Sequence, residues 1–188
     1  MSQVIAKLEE DHRRMAVLLK LLDREMESFS KGHALDFFLI ETVLDYMLNF
    51  PDLCHHPIED IIKEQLDLQE TGATKATRDL CSEHEKLSGM TRRFAAAVQV
   101  VQNEETLPRE HLIKLAEEYR DFLFQHMKYE ETEFFPAAQK HLSPQDWEMI
   151  ERRMGDKADK LFGREADREY RALHKVIVDW NGRQSVKN

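Results

Sequence analysis

His12 precedes the pair His55/Glu59 by 43 residues, and His84 precedes the pair His126/Glu130 by 42. A lone histidine followed at that distance by His-x-x-x-Glu, twice over, assembles four imidazoles and two carboxylates. Mixed imidazole and carboxylate donation suits iron or manganese, whereas purely thiolate sets suit zinc or clusters. Residues four apart on an α-helix differ by about 40° around the axis and about 6 Å along it, so each His/Glu pair projects from one face. If both carboxylates bridge, each of two ions receives two nitrogens and two oxygens. About two positions of a six-coordinate ion then remain for a bridging group and an exogenous molecule. The expectation is a dinuclear centre held by His12, His55, Glu59, His84, His126 and Glu130. Two iron ions are the expected cofactor, with manganese or zinc as substitutes.

A single histidine on an apolar helix face is more often a hydrogen-bonded core residue than a ligand. The repeat of order and gap separates these four from His33, His111, His141 and His174, which read as structural or exposed. His56/Asp60 has the same spacing as His55/Glu59 and lies one residue away. Only one register of a regular helix faces inward, and His55/Glu59 is favoured because its counterpart also ends in Glu. Glu131 and Glu133 read as outer or solvent groups. Tyr119 and Phe122 lie on the inward stripe of His126. The Tyr119 hydroxyl is a candidate partner for a molecule at the metals, against the blander reading of a core tyrosine satisfied elsewhere. Cys81, three residues before His84, reads as a small buried hydrophobe before it reads as a ligand.

The elements that must position these groups are helices. Apolar residues recur at helical spacing almost throughout, without sustained two-residue alternation. Helix one is expected over Val4–Phe29, with Leu8, Met15, Leu19 and Leu22 on the side of His12. Helix two runs from Ala34 or Asp36 to Glu70, with a kink at Pro51 and a second disturbance at Pro57, unless a helix restarts near Leu53 or Cys54 and Pro57 sits in its first turn. Helix three spans Thr74–Asn103, with Leu80, His84, Leu87 and Met90 or Thr91 on one stripe. Helix four spans Pro108–Gln139, with Pro108 at its first position and Pro136 disturbing its last turn. Long helices with short connections imply an all-α, up-down antiparallel four-helix bundle over residues 1–140. Residues 141–188 form a C-terminal helical extension. Ser143-Pro144-Gln145-Asp146 reads as a helix start, and Tyr170, Leu173, Val176 or Ile177 and Trp180 could pack a last helix on the bundle or on a second copy in a homodimer.

Composition bounds the setting. The 188 residues carry a formal net charge of −9 and no concentrated Lys/Arg face, which opposes nucleic acid or an anionic membrane surface as partner. Arg13-Arg14 with Lys7 and Lys20 reads as a solvated helix face. Residues 1–30 lack a signal-like apolar stretch, and no segment approaches the roughly 20 apolar residues of a membrane span. Two cysteines, Cys54 and Cys81, without CxxC spacing fit a reducing cytosol, so a cytoplasmic protein is expected.

His12, His55-His56-Pro57-Ile58-Glu59-Asp60, His84 and His126-Met127-Lys128-Tyr129-Glu130-Glu131 together resemble the hemerythrin-like HHE cation-binding domains, over about residues 4–140. The resemblance implies a four-helix bundle with a non-haem di-iron centre whose ligands are the residues matching the motif. Oxygen-carrying hemerythrins place a further histidine where this chain has Ser88, and end the last motif with Asp rather than Glu130. The set of four His and two Glu is more similar to relatives that handle nitric oxide, repair iron–sulfur centres or sense iron and oxygen. Three functional classes follow. One is a metal-binding module that takes oxygen or nitric oxide as sensor, scavenger or store. Another is a di-iron enzyme that consumes peroxide or nitric oxide or repairs iron centres, which needs a proton donor near the metals. The last is a helical interaction protein without metal.

Overall fold

The computed structural model describes residues 2–69, 80–103, 106–160 and 163–184, the side chains of 156–160, 163–165 and 180–184 excepted. The fold is all-helical, with no strand among the described residues. Helix α1 (Gln3–Ser30) begins where extended Ser2 accepts the Val4 N–H on its hydroxyl at 3.2 Å. It ends before Gly32, whose φ of +95° is the left-handed conformation that turns a chain off a helix end. Helix α2 (Phe37–Phe50) starts with the Leu39 N–H donating to the Asp36 carboxylate at 3.0 Å. After it come α3 (His56–Asp67), α4 (Leu80–Gln102), α5 (Arg109–Tyr129), α6 (Phe135–His141), α7 (Pro144–Lys160) and α8 (Gly163–Gln184). The expected start of helix three at Thr74 lies outside the described residues. Pro108 is the residue before α5 rather than its first.

The prolines act differently from the expected kink. Pro51 has ordinary helical angles (φ −59°, ψ −48°), and the chain then widens into a π turn over Pro51–His55. A second π turn, Glu130–Phe134, separates α5 from α6. The first closes with the His56 N–H on the Pro51 carbonyl and the second with the Phe135 N–H on the Glu130 carbonyl. In both cases the next residue is a proline, Pro57 or Pro136. A proline has no N–H for the carbonyl four residues back, and its ring crowds that carbonyl. Widening the turn by one residue relieves the crowding while keeping the helix continuous.

The core divides into two apolar clusters, and the candidate ligands occupy the level between them. Along α1, Val4, Ile5 and Leu8 belong to one cluster and Met15 onward to the other, with His12 between. Leu80 and Leu87 flank His84 on α4 in the same sense. From α2 into α3 the order reverses, with Phe50 and Cys54 before His55 and Ile58 and Ile61 after it. From α5 into α6 it is again reversed, Leu123 and Met127 preceding Phe134 and Phe135 around Glu130. Each fully buried Phe or Ile in these clusters stabilises the fold by about 1.5–3 kcal/mol.

The last two helices fold back on the earlier ones. Tyr170 of α8 lies edge-on to Tyr46 and Phe50 of α2 at 5.5 and 5.8 Å, and Ile177 is buried while Val176 is exposed. Trp180 falls outside the described side chains. Helix α7 opens with the expected Ser143/Asp146 box, the Ser143 N–H donating to the Asp146 carboxylate at 2.8 Å. Gln65 of α3 donates to the same carboxylate at 2.7 Å. No described helix is long and apolar enough to cross a membrane.

Candidate metal centre

All six residues singled out by the repeat are buried and face one another. His12 Nε2 lies 3.0 Å from His55 Nε2 and 3.2 Å from Glu130 Oε2. His55 Nε2 is 3.2 Å from Glu59 Oε1, and His126 Nε2 is 3.0 Å from Glu130 Oε1. His84 Nε2 faces Glu59 Oε2 and Glu130 Oε1 at 3.5 and 3.6 Å. The residues therefore sort into two halves that share both carboxylates. One half is His12 and His55 with Glu59 Oε1 and Glu130 Oε2; the other is His84 and His126 with Glu59 Oε2 and Glu130 Oε1.

Apart from the hydrogen bond between His12 and His55, those contacts are close without being hydrogen bonds. All four oxygens of Glu59 and Glu130, together with His84 Nε2 and His126 Nε2, are buried with no hydrogen-bond partner. A buried carboxylate without partners is costly, and so many such atoms at one level would be very destabilising if left that way. Lone pairs that converge on shared points, rather than on each other's protons, are what a cation needs. His12, His55, Glu59 and Glu130 offer ligand atoms within 4.8 Å of one another, all four residues buried. The donor set of this pocket fits metal ions.

The opposite ring nitrogens carry an outer layer of carboxylates. His12 Nδ1 lies 2.9 Å from Glu131 Oε1, His126 Nδ1 2.9 Å from Glu83 Oε2 and His55 Nδ1 3.7 Å from Asp11 Oδ2. At His12 and His126 such a partner fixes the proton on Nδ1 and leaves the lone pair on Nε2 for a metal, whereas Asp11 stands beyond hydrogen-bond reach of His55 and acts on it through charge. Glu131 is thus specifically engaged. Spacing alone does not single out Asp11 and Glu83, although each immediately precedes the lone histidine of its half. The repeated phrase is acid-His, then His-x-x-x-Glu, and in both halves the acid serves the histidine of the paired helix.

His56 corrects the expectation that only one of two adjacent histidines can face inward. Both His55 and His56 are buried, since they straddle the end of the first π turn. His56 stacks on His84, ring centroids 3.7 Å apart and planes 7° from parallel, and its Nδ1 lies 3.0 Å from Asp52 Oδ1. Asp60, the partner expected from spacing, instead accepts from Cys81 Sγ at 3.8 Å. Cys81 is exposed rather than buried, and belongs to neither group of converging donors.

Protons on the imidazoles balance the charge of the two carboxylates. Burial alone would depress His12, but Glu130 and Glu131 outweigh it and push the imidazole up to about 10. Burial likewise opposes His126, which Glu130 and Glu83 push up to about 9. Burial would raise Glu130, yet His12, His126 and His84 hold it well below the usual carboxylate range. Glu59 is also lowered, the imidazoles prevailing over burial and over repulsion from Glu130. His56, by contrast, is lowered chiefly by burial and is therefore neutral.

A cavity of about 20 Å³ adjoins this layer, enough for a water-sized molecule. Its lining mixes His12, His55, His126 and Glu130 with Met15, Met47, Leu87, Leu123 and Met127. Tyr119 also lines it, but its hydroxyl is engaged by Thr91, which itself donates to the Leu87 carbonyl at 2.9 Å. The blander reading of that tyrosine holds. His33 and His111 are exposed, and the half-buried His174 contacts the Arg14 carbonyl at 3.3 Å.

Comparison with known proteins agrees with this geometry. No curated protein and no solved structure matches the chain. The model of the hemerythrin HHE cation binding domain matches residues 3–138, which takes in both halves of the pocket and both π turns. With the motif residues turned inward to a single buried layer and most of the chain matched, this protein belongs to the hemerythrin HHE cation-binding domain family.

Proposed function

We propose that the protein holds a non-haem di-iron centre and binds oxygen or nitric oxide there, as a sensor, scavenger or store. The observation that carries this is the division of both carboxylates between two imidazole pairs. Glu59 and Glu130 each turn one oxygen to His12/His55 and the other to His84/His126. His12, His55, Glu59, His84, His126 and Glu130 are the ligands in this reading. Manganese or zinc could occupy the same donors, but nitrogen-plus-carboxylate sets with open positions suit iron best. A di-iron centre with an open coordination position supplies direct binding of a diatomic molecule. The adjoining cavity, lined by both ligand residues and apolar side chains, suits a small, weakly polar guest. The reversal of the two core clusters along successive helices supports an up-down four-helix bundle over residues 1–140, with 141–188 as an extension packed on it.

The chain's own residues do the positioning. Glu131 and Glu83 keep the His12 and His126 imidazoles oriented, Nε2 inward, and Asp11 adds a negative charge beside His55. The clusters above and below exclude bulk water from the layer. Tyr119 offers no proton to the pocket while Thr91 engages it, which favours binding over an enzymatic cycle. The test is elemental analysis of protein from iron-supplemented cells, purified without chelator, followed by anaerobic addition of nitric oxide and, separately, oxygen. About two irons per chain and a new visible absorption with either gas are expected. No metal after reconstitution would overturn the reading and leave a helical interaction protein.

A further inference from the structure

We propose that the cleft between α3 and α4 is the entrance to the centre for a neutral diatomic molecule, and that the Ser88 hydroxyl at its inner end is the hydrogen-bond donor that meets it. The inference rests on the di-iron reading above and adds the route and the recognising group. An open cleft of about 410 Å³ lies between these helices, with His56, Pro57, Cys81, His84 and Arg92 among its walls. Asp52, His56 and Ser88 belong both to this cleft and to the small cavity that touches His12, His126 and Glu130. Those three residues form the shared wall, so the outer and inner spaces are a single side chain apart.

Ser88 differs from the threonines of the other helical turns. Thr42, Thr91 and Thr132 each donate to the carbonyl four residues back, at 2.6, 2.9 and 2.8 Å, which is how a short hydroxyl on a helix satisfies itself. Ser88 Oγ makes no such bond and is buried with no hydrogen-bond partner among the described residues. A buried hydroxyl left unpaired is costly, and a guest in the adjoining cavity supplies the missing acceptor. The other two members of the wall hold each other. His56 Nδ1 lies 3.0 Å from Asp52 Oδ1, and the His56 ring stacks on His84 at 3.7 Å. Ser88 is the member left to turn toward either space.

The mouth also selects. In its described lining Asp52, Asp60 and Glu85 stand against Arg92. A net negative rim repels small anions and leaves neutral nitric oxide or oxygen unhindered.

The test is stopped-flow mixing of nitric oxide with the anaerobic, iron-loaded full chain, reading association and dissociation separately. Ser88→Ala keeps the opening and removes the donor, so dissociation should quicken about 3–10-fold at an unchanged association rate. The stretching vibration of bound nitric oxide should shift between water and heavy water in the wild type and not in Ser88→Ala. Ser88→Leu thickens the wall and should slow both rates by about 10-fold or more at an unchanged iron count. The route is also checked without a substitution, by alkylating the exposed Cys81 thiol with N-cyclohexylmaleimide while Cys54 stays buried. The adduct occupies the cleft, and the same slowing is expected. Azide association should rise with ionic strength as the rim is screened, and an azide rate that falls with salt would overturn the selection. Unchanged rates after alkylation would place the entrance elsewhere. A Ser88→Ala chain that matched the wild type in dissociation and isotope shift would remove the donor, and either result overturns the proposal. Because alkylation needs no variant, a misfolded Ser88→Leu would not rescue or spoil it. A wild-type chain that takes up no iron would instead sink the di-iron reading on which this one stands.

Discussion

Removing Glu130 should cost both metals, whereas removing His12 should cost one. The structure gives the reason, because Glu130 Oε2 faces His12 at 3.2 Å while Oε1 faces His126 at 3.0 Å. His12 Nε2, in contrast, faces only the His55 half. At free metal about one hundred times the dissociation constant, each bound ion stabilises the fold by about 2.7 kcal/mol, and two by about 5 kcal/mol. A chain of this length shifts its melting temperature by about 2–4 °C per kcal/mol, so the wild type should melt roughly 10–20 °C higher with metal than without. His12→Ala should keep about half of that difference and one ion; Glu130→Ala should keep almost none and bind no ion tightly.

The assay is thermal unfolding of each variant with and without metal, paired with elemental analysis. Taking the difference within each variant removes the packing loss of truncation. Glu59→Ala should behave like Glu130→Ala, since Glu59 also turns its two oxygens to opposite imidazole pairs, His55 at 3.2 Å and His84 at 3.5 Å. If Glu130→Ala retained one ion at wild-type affinity, the shared-carboxylate reasoning would be wrong. Equal fractional losses of the metal-dependent shift in His12→Ala and Glu130→Ala would refute it as well.

Three further outcomes are expected. Glu83→Gln should weaken metal binding by about 10–100-fold without changing the number of ions, measured by competition with a chromophoric chelator, because it frees Nδ1 of a ligand rather than removing one. At pH 7.5 metal loading should release at least about two protons per chain in an unbuffered pH-stat titration, since His12 and His126 sit at about 10 and about 9 and must be neutral to ligate, and His55, raised against burial by Glu59 and Asp11, adds to that release. Both folded values lie above the ordinary histidine value of 6.5, so the stability they give the metal-free chain is complete below that pH and fades as pH rises through 9 and 10, while metal affinity rises over the same window. Tyr46→Phe should leave the chain as stable or raise its stability by about 1 kcal/mol in urea unfolding, because the Tyr46 hydroxyl is fully buried with no hydrogen-bond partner.

The convergence of these six residues was legible because it is written in residue type and spacing. A histidine that recurs with a His-x-x-x-Glu pair at the same gap needs no tertiary knowledge to be noticed, and the apolar stripes that carry His12 and His84 put them on interior faces. Asp11 and Glu83 were hidden by a different property. Acids beside a ligand look like ordinary solvated charges, and only the crossing of helices shows that each serves the histidine of another helix, His55 or His126. The packing side of residues 143–188 was equally out of reach. An amphipathic face shows that something covers it, while the edge-on contact of Tyr170 with Tyr46 shows what.

The His55/His56 ambiguity has a physical origin that also explains why the pocket is built as it is. Periodicity assumes 3.6 residues per turn, and under that assumption adjacent residues cannot share a face. Pro57 and Pro136 break the assumption at corresponding places, each imposing a widened turn at the ligand layer. The first such turn ends on His55 and the second begins on Glu130. A widened turn rotates the following helix relative to the preceding one, which lets Cys54 and Ile58, or Met127 and Phe134, serve two separate core clusters while His55 and Glu130 between them face the buried His/Glu layer. The prolines are therefore part of the site's construction. They let one helix present an apolar stripe above the layer, polar donors within it and an apolar stripe below, without the chain leaving the interior. A regular helix through Pro51–His55 would have had to choose between His55 and His56; the observed turn buries both.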